Sequence, residues 1–156
     1  MVEVPAVALL ADRFAEHVDF FSVGTNDLTQ FTLAVDRGND LVAGLYRALD
    51  PAVLALIAHT TAAADRAGLP VSVCGEVAAD PRVVPLLVGL GVGALSASPS
   101  ALGFVRHALQ AFTLPEAQAL ATEALRQPDA DGVQALLDAF ALAHTPELAA
   151  LLGIAA

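Results

Sequence analysis

Three short apolar runs, each ending in polar or reactive side chains and each followed by helical spacing, limit how this chain folds. The first is Met1-Val2-Glu3-Val4-Pro5, which carries a carboxylate. The second, Val18-Asp19-Phe20-Phe21-Ser22-Val23-Gly24-Thr25-Asn26-Asp27, ends in an amide and a carboxylate. The third, Val71-Ser72-Val73-Cys74-Gly75-Glu76, ends in the only cysteine of the chain. Strand and helix patterns that alternate in this way specify βα units and a parallel sheet. In such units the reactive groups gather at the carboxyl ends of the strands. The pattern therefore predicts an α/β domain with an enzyme-type site at one end of its sheet.

Between these runs the helical segments have recognisable starts and stops. Pro5 suits a first helical turn, and residues 6–17 carry apolar side chains at helical spacing. Residues 19–23 predict the next strand, closed by Gly24, with a short helix near 28–33 and a polar loop at 36–40. Asp50-Pro51 pairs an N-cap with a proline, which predicts a helix over 52–67 that stops at Gly68. A strand follows at 71–73, and Asp80-Pro81 predicts another helix start. From about Pro115 the composition shifts, and helices are expected over 115–125, 131–143 and 146–152. Two regions result: an α/β part over residues 1–112 and a helical extension over 113–156. Internal repeats and linker-like stretches are not evident.

Composition narrows the function. Hydrophobic residues make up 56% of the 156 residues and charged residues only 15%, so much of the chain must be buried. Formal net charge is −10, with seven arginines and no lysine. A diffuse acidic surface repels phosphate backbones and anionic lipid headgroups, which argues against nucleic-acid and membrane-surface binding. An anionic substrate would need a local arginine or a metal ion. Residues 83–105 lack charge over a length sufficient to span a bilayer. Pro85, Gly89, Gly91, Gly93 and Pro99 break that stretch, favouring a buried helix, a buried strand near 92–96 and a new helix near Pro99. One cysteine excludes an internal disulfide, and no signal-peptide pattern opens the chain, so a reducing, cytoplasmic setting is expected.

The candidate site residues each admit two readings. Glu3 and Asp27, at the ends of neighbouring predicted strands, form a pair that suits Mg²⁺ or Mn²⁺ together with substrate oxygens. Asp27 equally reads as a cap of the helix after it. Cys74 is either a reactive thiol at a strand end or a small buried hydrophobe. Glu76 either tunes that thiol or is a solvated loop residue. Arg37, in a polar loop, has the planar donor fork that suits phosphate and carboxylate oxygens. An exposed loop arginine is also commonly just solvated. None of His17, His59, His107 and His144 falls at a strand end, and all four read as structural or surface residues.

Taken together, these motifs resemble the C-terminal part of Enzyme I of the bacterial sugar phosphotransferase system, within the phosphoenolpyruvate-utilising enzyme family. The resemblance rests on Met1-Val2-Glu3-Val4-Pro5-Ala6, on residues 20–30 around Gly24-Thr25-Asn26-Asp27, on Leu33-Ala34-Val35-Asp36-Arg37-Gly38-Asn39, and on Val73-Cys74-Gly75-Glu76. It continues through Pro85-Leu86-Leu87-Val88-Gly89-Leu90-Gly91 to Ser98-Pro99. Pyruvate phosphate dikinase and phosphoenolpyruvate synthase share the glutamate, the Gly-Thr/Ser-Asn-Asp turn and the cysteine, whereas residues 33–39 favour Enzyme I.

The resemblance implies a (β/α)₈ TIM barrel, of which this chain would supply the last strands, with a helical C-terminal extension. It implies Glu3 and Asp27 as Mg²⁺ ligands, Asn26 on the substrate phosphate and Arg37 on phosphoenolpyruvate. Cys74 would be the acid–base that protonates C3 of enolpyruvate to give pyruvate. A full barrel takes about 250 residues, so the chain is expected to be a fragment that does not by itself phosphorylate a carrier protein. Its implied partners are the remaining barrel strands, a phosphohistidine domain, a phosphocarrier protein and a further copy in a homo-oligomer. A non-catalytic association module is the alternative from a different class, and a dikinase or synthase fragment is the alternative among enzymes. Ala79 departs from the family, which usually has glycine there.

Overall fold

A computed structural model of the chain describes residues 1–154; positions 155 and 156 of the expected extension lie outside the described residues. Three parallel strands form one sheet in the order β1 (Phe21–Gly24), β2 (Val71–Cys74), β3 (Ala94–Leu95). Phe21 pairs with Val71 and Gly24 with Cys74, while Val73 also pairs with Leu95. The first apolar run, predicted as a strand, contributes a single bridge from Val2 to Val23. Val2 donates to the Ser22 carbonyl at 2.7 Å and accepts from Gly24 at 2.9 Å. Pro5 begins α1 (Pro5–Leu9) directly afterwards, which leaves no room for a longer ladder.

The long helix predicted over 6–17 is instead two short ones, α1 and α2 (Ala11–Ala15). Leu10, at φ −104° and ψ 19°, breaks the turn between them. After β1 the chain enters α3 (Thr25–Leu33) without a loop, three residues earlier than the spacing predicted. The proline-marked start is realised at α4 (Pro51–Ala67), where Asp50 accepts from the Ala52 N–H at 2.8 Å and Gly68 closes the helix at φ +68°. Asp80, predicted to open a helix, holds Arg82 instead: its Oδ1 accepts from the Arg82 backbone at 2.9 Å and its Oδ2 from the guanidinium at 2.6 Å. Helix α5 (Val84–Gly89) starts only after that turn.

The uncharged stretch 83–105 is divided among α5, β3 and α6 (Leu102–Leu109). Among the described residues no helix is long and apolar enough to cross a membrane. The strand expected to be buried near 92–96 is an edge of two residues with Gly93, Ala94 and Ser96 exposed. Helices α7 (Leu114–Ala124), α8 (Ala130–His144) and α9 (Pro146–Leu151) complete the chain.

One face of the sheet carries the core. Phe21, Val23, Val71 and Val73 point into a cluster with Leu28, Leu54, Ile57, Leu86 and Leu87 from the helices. Leu120, Ala121, Val133 and Leu137 of α7 and α8 belong to the same cluster. Close approach of α5 to α7 depends on Gly89, where a Cβ would lie 2.0 Å from the Ala117 carbonyl oxygen. Alternate positions Ser22, Ser72 and Ala94 point the other way and are half-buried or exposed. Parallel sheets are ordinarily covered on both faces; among the described residues only one face is.

Candidate active site

Period-two pleating and the observed register place the chemistry in one row. Val2, Val23, Val73 and Leu95 pair across the sheet. One residue further on, therefore, Glu3, Gly24, Cys74 and Ser96 stand at its carboxyl edge. A cleft of about 220 Å³ opens there, lined by Met1, Glu3, Gly24, Thr25, Asn26, Asp27, Arg37, Cys74 and Gly75. Five of the side chains singled out in the sequence, Glu3, Asn26, Asp27, Arg37 and Cys74, line this one opening, and Glu76 does not. The four histidines do not line it: His17, His59 and His107 are exposed, and His144 stacks on Phe140 at 3.9 Å.

Two hydrogen bonds join the strand ends. The Thr25 hydroxyl donates to the Cys74 carbonyl at 2.8 Å, and the Asn26 Oδ1 accepts from the Glu76 N–H at 3.2 Å. Between those two bonds lies Gly75, at φ +110°, where a Cβ would stand 2.3 Å from Thr25 Oγ1 and 2.9 Å from Asn26 Oδ1. Only glycine fits this crossing without displacing either partner. The bond from Glu76 also fixes the Asn26 amide: its oxygen is occupied, and its NH₂ has no hydrogen-bond partner among the described residues. Glu76 itself is exposed, and its side chain faces a neighbouring groove with Tyr46, Asp80 and Asp131.

Cys74 is half-buried, with its thiol directed to the Val23 carbonyl at 3.5 Å. Asp27 lies in the first turn of α3, but Gly24 holds the N-cap position and no side-chain cap bond forms. The capping reading of Asp27 is therefore not the one the structure adopts. Glu3 approaches closely over Gly24, whose absent Cβ would lie 3.3 Å from Glu3 Oε2. Among the described residues none of Glu3, Asp27 and Arg37 takes part in an ion pair.

No group of three or more His, Cys, Asp or Glu side chains converges among the described residues. Two uncommitted carboxylates on one open cleft do fit Mg²⁺, which keeps waters and substrate phosphate oxygens beside one or two carboxylates.

Tyr46 and Thr25 are the site residues that sequence reasoning passed over. Tyr46 donates from its phenol to the Asn26 carbonyl at 3.2 Å. Burial pushes its pKa above the ordinary value of 10.0, so it remains a donor at neutral pH. Tyr46 carries no local signal, and Thr25, although part of the Gly24-Thr25-Asn26-Asp27 motif, gives no sign of the distant Cys74 carbonyl it reaches.

Such an edge suits an α/β enzyme domain that takes a small, oxygen-rich anion at its strand ends. The family model described as PEP-utilising enzyme, PEP-binding domain, matches residues 1–114, and the chain belongs to that family. It is 49% identical over 117 residues to a phosphoenolpyruvate-protein phosphotransferase of Geobacillus stearothermophilus, covering 75% of this chain and 20% of that protein. It is 42% identical over 140 residues to the protein of the same name from Listeria monocytogenes, covering 90% and 24%. Against that of Haemophilus influenzae it is 40% identical over 145 residues, covering 93% and 25%. The chain thus spans between a fifth and a quarter of the length of these relatives.

Proposed function

We propose that this chain is the phosphoenolpyruvate-binding portion of a phosphoenolpyruvate–protein phosphotransferase, the enzyme that opens the sugar phosphotransferase system. The observation that carries this reading is the convergence of Glu3, Asn26, Asp27, Arg37 and Cys74 on one strand-end cleft. On this reading the one-faced sheet is a sector of a (β/α)₈ barrel, with the Ser22 and Ser72 side as its interior.

Glu3 and Asp27 would hold Mg²⁺, which when bound neutralises negative charge on the substrate oxygens. The Asn26 NH₂ donates to a phosphate oxygen, and the Arg37 guanidinium binds substrate oxygens through its paired N–H groups. When the phosphoryl group departs to an acceptor, C3 of the enolpyruvate left behind takes the proton from the Cys74 thiol and becomes the methyl group of pyruvate. The resulting thiolate recovers its proton from water. The acceptor would be a histidine on another domain, as the resemblance to Enzyme I implies. The chain alone therefore binds substrate without phosphorylating a carrier.

Alkylation of Cys74 tests the reading, because it is the only thiol. Protection that requires both Mg²⁺ and phosphoenolpyruvate is the expected result. Unchanged reactivity in a folded sample would reject ligand binding by this chain. The outcome would then favour a second reading, an association module, for which the uncovered sheet face is the relevant observation. A dikinase or synthase origin is less favoured, since the relatives from Geobacillus stearothermophilus, Listeria monocytogenes and Haemophilus influenzae all carry the phosphotransferase name.

A further inference from the structure

The segment between α3 and α4 carries Arg37, two residues after the buried Val35. Residues 36–41 are exposed throughout. Their own bonds are local: Asp36 Oδ1 accepts from the Gly38 N–H at 2.8 Å, and Asn39 Oδ1 accepts from the Leu41 N–H at 3.1 Å. The Arg37 side chain has no partner among the described residues, and its backbone N–H reaches Gln30 Oε1 at 3.4 Å. Farther along, two consecutive residues tie the segment down. Tyr46 donates to the Asn26 carbonyl at 3.2 Å, and Arg47 pairs with Asp131 of α8.

The two ties differ in strength. Arg47 and Asp131 are 44% and 80% exposed, and pairs so open to water add little. The phenol is half-buried, and the buried Thr29 hydroxyl lies beside it. A carbonyl has two lone pairs, so that of Asn26 can serve α3 and the phenol together. We infer that Tyr46 is a positioning residue: its phenol clasps the Arg37 segment onto the Asn26–Asp27 turn and so keeps Arg37 at the cleft. The inference rests on the phosphoenolpyruvate reading only for the identity of the anion that Arg37 meets.

Trypsin reads the clasp directly, because Arg37-Gly38 is a cleavage site within the segment. Tyr46→Phe keeps the ring and removes the donor. Cleavage at Arg37 is expected to accelerate roughly three- to tenfold, the change in open population that follows loss of one hydrogen bond. Cleavage at Arg13 and Arg106, on helices outside the segment, should stay at the wild-type rate. An unchanged rate at Arg37, or equal acceleration at all three arginines, would overturn the inference. Should the variant fail to fold, the wild-type chain supplies a second measurement, since Tyr46 is its only tyrosine and it has no tryptophan. Acrylamide should quench Tyr46 emission more slowly than that of free tyrosine; equal quenching would also overturn the clasp. Slower cleavage of wild-type Arg37 on adding Mg²⁺ and phosphoenolpyruvate tests the substrate separately. If that protection is absent while Tyr46→Phe still loosens Arg37, the clasp stands and the assigned anion falls.

Discussion

The cleft and the helical side of this molecule treat charge in opposite ways. On the helical side several charges are paired: Arg66 meets Asp12 at 2.7 Å, Arg82 meets Asp80 at 2.6 Å and Asp138 at 3.8 Å, and Arg126 meets Glu123 at 3.4 Å. At the cleft, Glu3, Asp27 and Arg37 border one opening, and no ion pair among the described residues includes them. Apolar packing is divided in the same way, with Leu54, Ile57, Leu86 and Leu137 fully buried behind the sheet. The difference separates stability from chemistry. Folding free energy comes from the layer behind the sheet, while the polar groups at its edge stay available to a ligand.

Substitutions on the two sides sharpen or break this comparison. Leu137→Ala should have the largest effect on stability, about 3 kcal/mol by urea denaturation, because it removes a fully buried side chain from the shared core. A loss under about 1 kcal/mol would mean that α8 is only loosely attached. Gly75→Ala should cost about 2 kcal/mol through its positive φ and its clash with Thr25. Unlike the leucine variant, it should also change the alkylation rate of Cys74. Arg82→Ala should cost about 1 kcal/mol by leaving Asp80 and Asp138 without their cation. Its Cys74 reactivity should match wild type.

Glu3→Gln and Asp27→Asn should shift stability by less than about 0.5 kcal/mol, since neither carboxylate has an ion-pair partner to lose. Each should abolish any Mg²⁺-dependent protection of Cys74. A large stability loss in either would break the comparison at its centre.

The smallest effect concerns Glu116. The Thr113 backbone N–H and hydroxyl, each 2.7 Å from its Oε2, hold its carboxyl below the ordinary value of 4.5. A depressed pKa contributes stability that is present above the unfolded value and is lost as pH falls through the folded one. Glu116→Gln should therefore flatten the pH dependence of melting below about 4.5 and leave it unchanged near neutrality. An unaltered acid limb would show the interaction to be negligible.

Much of the site was legible because strand ends leave local marks. An apolar run closing on Cys74-Gly75 or Gly24-Thr25-Asn26-Asp27 states where pleated backbone stops, and parallel register then lines those ends up. Helix α4 was equally legible, since Asp50-Pro51 and Gly68 mark its two ends chemically. Other elements lack such marks. The break at Leu10 and the start of α3 at Thr25 have no capping side chain, and Asp80 prefers an arginine two residues away to the helix start that its proline neighbour suggested.

The sequence by itself determined the alternation of strands and helices, the residues that end the strands, and the family to which those motifs belong. These rest on short-range properties: periodicity, glycine and proline geometry, and side-chain chemistry. Only the tertiary structure decided that the first apolar run is a single bridge, that α7 and α8 share the main core, and that one sheet face stays uncovered. It alone also brought Thr25 to Cys74 and Tyr46 to Asn26. Each of those outcomes depends on contacts between residues far apart along the chain, and a local pattern carries no information about which distant group will be there to complete it.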